Sequence, residues 1–286
     1  MINALTFDVE EYFHAEAFAG VVRPEQWRLL PSRVVTTTER LLDVLQESGT
    51  YATFFVLGWV AEGYPALVRM IHSRGHEVAC HGYGHRMLTR MTRTEFAEDV
   101  RRGKAAVEDA AGVAVMGYRA PTFSVVRETL WSLRILAEAG FRYDSSIFPI
   151  VHDRYGIPDA RRFPHRIAVG PGLEIGEFPL STIKRLGLRF PVAGGGYFRL
   201  LPYAITRRAL RHINETEQQP AIVYLHPWEI DPEQPRLPVG RLTHYRHSVN
   251  TSLTEAKLRC LLRDFRFAPV RNVLVESRAL LPEEVL

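Results

Sequence analysis

Cysteine, lysine and long apolar runs are what this sequence is short of. Of its 286 residues only Cys80 and Cys260 are cysteines, far apart and in no C-x-x-C spacing, which excludes a disulfide framework and a cysteine-bound zinc site. A reducing compartment fits. The first residues run straight into a strand pattern with no basic n-region, apolar h-region or small-residue cleavage site, so the expected location is cytoplasmic. No run approaches the ~18–20 consecutive apolar residues of a membrane-crossing helix, and a soluble, not membrane-spanning, chain is expected. Lysine is confined to Lys104, Lys184 and Lys257, so the net charge of +4 and the pI near 9.2 come almost wholly from arginine. The arginine pairs at 101–102, 161–162 and 207–208 are scattered and lack interleaved aromatics, which argues against nucleic acid as a partner.

What is present is an alternation. With 46% hydrophobic residues the chain can bury a sizeable core, and one catalytic domain over 1–286 is expected. Short apolar runs at 4–7, 52–57, 77–80, 115–118 and 141–143 read as strands. Helical periodicities at 39–48, 66–74, 95–111 and 128–139 lie between them, each stopping at a glycine (Gly49, Gly75, Gly112, Gly140). That is the pattern of β/α units around a largely parallel sheet. From about 153 to 202 proline, glycine and arginine take over, read as an insertion with strand-like pieces at 173–178 and 182–186. A helix at 203–217, a strand at 221–225, a proline-marked connection, a helix at 254–265 and a strand at 273–275 follow, with 231–286 as a C-terminal elaboration.

Asp8, His81, Arg119, Asp144 and His226 each follow directly on a predicted strand, and in parallel β/α folds the carboxyl ends of strands gather on one face. In His81-Gly-Tyr-Gly-His85 two imidazoles four residues apart can turn to one ion, with glycines letting the backbone bend. Asp8-Val-Glu10-Glu11 offers the missing acid: residues 8 and 10 of an extended chain share a side, so one carboxylate can bind metal while the other contacts its water. Trp228, Tyr197 and Phe198 could stack on sugar rings or lie in the core. Gly194-Gly-Gly196 lacks a following Lys-Ser/Thr and reads as a flexible turn, not a phosphate loop.

Together these residues resemble the polysaccharide deacetylases of carbohydrate esterase family 4, the nodulation-protein-B homology domain. The likeness runs through five motifs within about 1–150 and 220–230: Thr6-Phe7-Asp8 with Glu10, His81 with His85, Arg119-Ala-Pro121, Tyr143-Asp144-Ser145-Ser146, and Leu225-His226-Pro227. Segments 177–181, 194–198 and 224–231 also resemble a narrower branch found beside exosortase systems in exopolysaccharide loci. The resemblance implies an α/β fold, a distorted (β/α) barrel of the seven-stranded type with an insertion and a C-terminal extension. It implies Glu10, His81 and His85 as metal ligands, with Glu11 a less favoured substitute for Glu10. Asp8 is then the base, oriented and kept ionised by Arg119, and His226 the acid, held and tuned by Asp144. A backbone N–H near Thr122 is the expected oxyanion donor. Borderline N/O ligands favour zinc, with cobalt, nickel, manganese or iron able to replace it. The implied reaction is N-deacetylation of an amino-sugar polysaccharide or its precursor. Two rivals are an amidase acting on a small cyclic amide or acylated metabolite, as in allantoinase-like relatives, and a carbohydrate-binding pseudoenzyme, suggested by the non-acidic Val9.

Overall fold

The computed structural model describes residues 1–192 and 194–279. Its strands are β1 (Ile2–Val9), β2 (Thr53–Val56), β3 (Glu77–Cys80), β4 (Gly117–Tyr118), β5 (Tyr143–Asp144), β6 (His165–Gly170), β7 (Leu173–Glu177), β8 (Thr182–Arg185), β9 (Leu188–Pro191), β10 (Ile222–Leu225) and β11 (Arg266–Ala268). The main sheet runs β10-β1-β2-β3-β4-β5-β7-β6, and the first seven strands in that order are parallel. Antiparallel β6 extends the far end, and β11 pairs with the start of β1.

Strands covered on both faces must be apolar on both, and β1 shows how the two sides are used. Leu5, Phe7 and Val9 pack toward the helices with Phe54 and Val56, whereas Ala4 joins Phe55, Ala79, Tyr143 and Ile222 in a separate inner cluster. Period-two alternation then puts Thr6 and Asp8 on the inner side with Ala4, and Asp8 stands at the carboxyl end.

Among the described residues no ladder joins β7 to β10. The chain after β7 crosses this gap, where the Ile222 N–H donates to Ser181 Oγ at 2.7 Å. The result is the distorted barrel of parallel strands that the motifs implied. Helix Arg93–Ala111 begins on Thr92, whose hydroxyl accepts the Glu95 N–H while Glu95 accepts the Thr92 N–H. All four glycines read as helix stops have positive φ. No helix of the described residues is long and apolar enough to cross a membrane.

Two expectations are corrected. The segment 273–275, expected as a strand, lies in the helix Val270–Glu276, where Val270, Val273 and Leu274 are buried at helical spacing; β-branched content was outweighed by packing under the inner cluster. The strand there is the earlier β11, too short to show a pattern. The 153–202 stretch is also not wholly outside the barrel, since it supplies β7.

Candidate active site

Glu10 lies just past β1, while His81 and His85 lie on the loop after β3. Their ligand atoms all fall within 4.8 Å of one another. His85 Nε2 is 2.6 Å from Glu10 Oε2, within hydrogen-bond reach of that buried atom, and His81 Nε2 is 4.0 Å from it. His81 Nδ1 sits 2.8 Å from the Arg119 carbonyl. A carbonyl only accepts, so the ring proton is on Nδ1 and Nε2 keeps its lone pair for the cluster. Burial lowers the His81 pKa to about 4, which keeps that lone pair free near neutrality. Burial opposes charge on Glu10, but His85, with His226 and His81, outweighs it and holds the carboxyl well below its usual range. Two imidazoles and a buried carboxylate, their ligand atoms within 4.8 Å of one another, fit a divalent cation with a position left open.

Glu11 is not part of this cluster. Its carboxylate accepts from Ser32 Oγ and from the Arg33 N–H at 3.0 Å, at the start of the helix Val34–Glu47.

Asp8 and His226 flank the cluster. Arg119, fully buried, donates from Nη1 to Asp8 Oδ1 at 2.7 Å and to Thr6 Oγ1 at 2.8 Å, and from Nε to the Ser145 carbonyl at 2.9 Å. One carboxylate oxygen is thereby fixed, and the other, Oδ2, lies 3.9 Å from His226 Nε2. Trp228 Nε1 donates to Glu10 Oε1 at 3.1 Å, so this aromatic, expected to meet sugar, also steadies the cluster.

Asp144 stands apart from His226, contrary to its expected role. It accepts from Ser146 Oγ at 2.6 Å, and Ser146 Oγ in turn accepts the Ala120 N–H, which braces the Arg119 strand end. The carboxylate on His226 is Glu229, whose Oε2 is 3.0 Å from Nδ1 and accepts the His226 N–H at 3.0 Å. Arg199, from the helix Gly195–Leu200, donates to Glu229 Oε1 at 2.6 Å and is itself held by the His247 carbonyl. Burial disfavours the His226 cation, but the Glu229 hydrogen bond and the charges of Glu10, Glu229 and Asp8 push its pKa up to about 9.

Glu229 was legible in principle: a carboxylate three residues after a turn-opening residue can reach back to that residue's N–H, as a capping box does. Arg199 carried no sequence signal.

The cleft measures about 160 Å³ and exposes Asp8, Glu10, His81, His85, Thr122 and Trp228 among its walls. Thr122 is left-handed, φ 56. Gly195 and Gly196 also line the cleft, and the run is less a flexible turn than a close approach: a Cβ on Gly194 would fall 1.8 Å from the Tyr224 carbonyl oxygen. Tyr197 is not among the lining residues; its hydroxyl pairs with that of Tyr155, which is.

Asp144 and Glu177 make a second buried acid pair, joined by a hydrogen bond. Burial raises both, Asp144 to about 6 although the Glu177 hydrogen bond works against the rise, and Glu177 further because the Asp144 charge adds to it. Acids raised by folding bind protons in the native state that the unfolded chain has released, so their contribution is present below pH 4 and lost as pH rises through 6. Glu177→Gln removes the Glu177 share of this loss. In urea unfolding the stability of the variant minus that of the parent should therefore increase from pH 4.5 to 7.5; a constant difference would rule out the shared proton.

Residues 4–143 match the family model described as polysaccharide deacetylase, and residues 145–275 match a domain of unknown function, DUF3473. The first match makes residues 4–143 a polysaccharide deacetylase domain. The peptidoglycan-N-acetylglucosamine deacetylase of Bacillus cereus is 30% identical over 93 residues, 32% of this chain and 34% of that protein. The chitooligosaccharide deacetylase of Sinorhizobium fredii is 39% identical over 85 residues, 29% of this chain and 40% of that protein. The matched segments thus span well under half of these relatives. A Mycobacterium smegmatis protein classed as a polysaccharide deacetylase superposes with a TM-score of 0.64 at 23% identity, over 97% of this chain and 90% of that one, a likeness of fold. The deacetylase match stops before His226 and Glu229, which fall in the second segment.

Proposed function

We propose that the protein is a metal-dependent hydrolase that removes N-acetyl groups from an amino-sugar polysaccharide or its precursor, and that both matched segments form one catalytic unit. The observation that carries this reading is the Glu10, His81 and His85 cluster with Asp8 and His226 on its rim. Glu10, His81 and His85 would hold the cation, zinc by the preference of this donor set, and the cation supplies Lewis acidity at the acyl carbonyl. Asp8, with Oδ1 held by Arg119, takes a proton from the attacking water at Oδ2. His226, protonated and facing inward through Nε2, returns a proton to the departing nitrogen, so amide and water become acetate and amine. Glu229 fixes which ring nitrogen faces the cleft, and Arg199 fixes Glu229. Thr122 supplies a backbone N–H toward the developing oxyanion. Trp228 offers a ring edge to sugar at the rim. The relatives named above act, by their names, on N-acetylated saccharides, which supports the substrate class.

Elemental analysis of the purified protein combined with acetate release from N-acetylated oligosaccharides tests this. Stoichiometric metal and acetate release are expected. Glu10→Gln should cost at least tenfold in metal affinity whereas Glu11→Gln keeps parent metal content; the opposite pattern would move the ligand role to Glu11. Metal without acetate release, but with hydrolysis of a small cyclic amide, would overturn the substrate assignment. Neither activity would leave a binding protein.

A further inference from the structure

The β8–β9 hairpin stands off the main sheet as a two-stranded ribbon. Arg185 pairs with Leu188, and the two turn residues between them, Leu186 and Gly187, have φ of 49° and 79°. Turns of this hand favour asparagine and glycine, and a leucine in the first position is strained. Leu186 is nevertheless there, 95% exposed, followed by Leu188 at 62% and Phe190 at 45%. Neither the turn nor any core accounts for an apolar residue at the tip.

Across a groove of about 1210 Å³ the hairpin faces the helix Tyr203–Arg211. Lys184, Arg185, Arg207, Arg208 and Arg211 line that groove against one carboxylate, Glu215. Arg207 lies 3.7 Å from Asp264, whereas Lys184, Arg185, Arg208 and Arg211 have no ion-pair partner among the described residues. Unneutralised cations beside a strained, exposed apolar tip match a bilayer bearing negative headgroups: apolar side chains enter the interface and guanidinium groups take phosphates. A soluble polyanion would use the arginines but leave Leu186 without a role.

We propose that the hairpin tip at Leu186 and the basic groove beside the helix Tyr203–Arg211 form a docking surface for an anionic phospholipid membrane. This stands independently of the chemistry assigned to the cleft. Flotation of the full chain with vesicles of phosphatidylcholine, alone or mixed with phosphatidylglycerol, provides the test. The protein should float with the mixed vesicles only, and release as salt rises. Leu186→Asn suits the left-handed turn, so it should keep the thermal midpoint while lowering the bound fraction about tenfold. Arg208→Glu combined with Arg211→Glu should lower it at least as far. Failure to float with the mixed vesicles, or equal binding to neutral ones, overturns the proposal. So does unchanged vesicle binding by Leu186→Asn; heparin retention lost only in the arginine variant would then reassign the groove to a soluble anionic polymer.

Discussion

Asp8→Asn should lower kcat about a thousandfold while leaving bound metal at the parent level. Asparagine keeps an oxygen that can accept from Arg119 Nη1, so the 2.7 Å contact has a counterpart in the variant. The second oxygen, the one turned toward His226 at 3.9 Å, becomes an amide nitrogen that cannot take a proton. Alanine would be a poorer choice: both substitutions remove the counter-charge of the buried guanidinium, but alanine also removes the oxygen that accepts its N–H. Acetate release and metal content measured on the same preparation separate the outcomes. Turnover within a few-fold of the parent at full metal loading would remove Asp8 from the base role.

The second large effect separates two carboxylates. Glu229→Gln is expected to lower kcat about a hundredfold with KM little changed, because the charge that holds His226 in its protonated form is gone. The sign in pH follows. His226 is raised to about 9 with Glu229 as a principal cause, so the variant should lose its acid at lower pH, and the alkaline limb of the kcat profile should move down. Asp144→Asn should leave that limb in place, since Asp144 touches Ser146 and Glu177 and not the imidazole. An alkaline limb that moves with Asp144 and stays fixed with Glu229 would restore the role expected from the sequence.

The contrast shows where the sequence was readable. Asp8, His81 and His85 were legible because a strand end and a fixed local spacing place them, and both are local properties. Glu10 followed from two-residue periodicity in extended backbone. The choice between Glu10 and Glu11 was not open to spacing alone; it is decided by the start of a helix some twenty residues on, which takes Glu11 as a cap. Asp144 was assigned by motif order, and motif order does not report which carboxylate reaches an imidazole when another sits three residues away on the same turn. Arg199 is separated from Glu229 by 30 residues that include the helix Tyr203–Arg211 and β10, and no local spacing links the two. The parallel strands β1 to β5 were legible from the glycine-stopped helices between them, whereas β6 was not. The segment 273–275 was misread because three β-branched or apolar residues fit a strand as well as one buried helical face.

The arrangement of β1 has a consequence for how the chain comes into being. Among the described strands β1 leaves the ribosome before the others, yet its partners β10 and β11 follow all the rest. Glu10 meets Trp228 across 218 residues of sequence. At ~5–20 residues per second, that edge stays open for roughly 10–40 s of synthesis, exposing a strand whose residues from Asn3 to Val9 are all destined for the interior. The nascent chain thus carries the proposed cation ligands and base long before the proposed acid. Competence arrives only when the closing strand is threaded in, so a chain terminated early is born inert and sticky, a natural client for a chaperone.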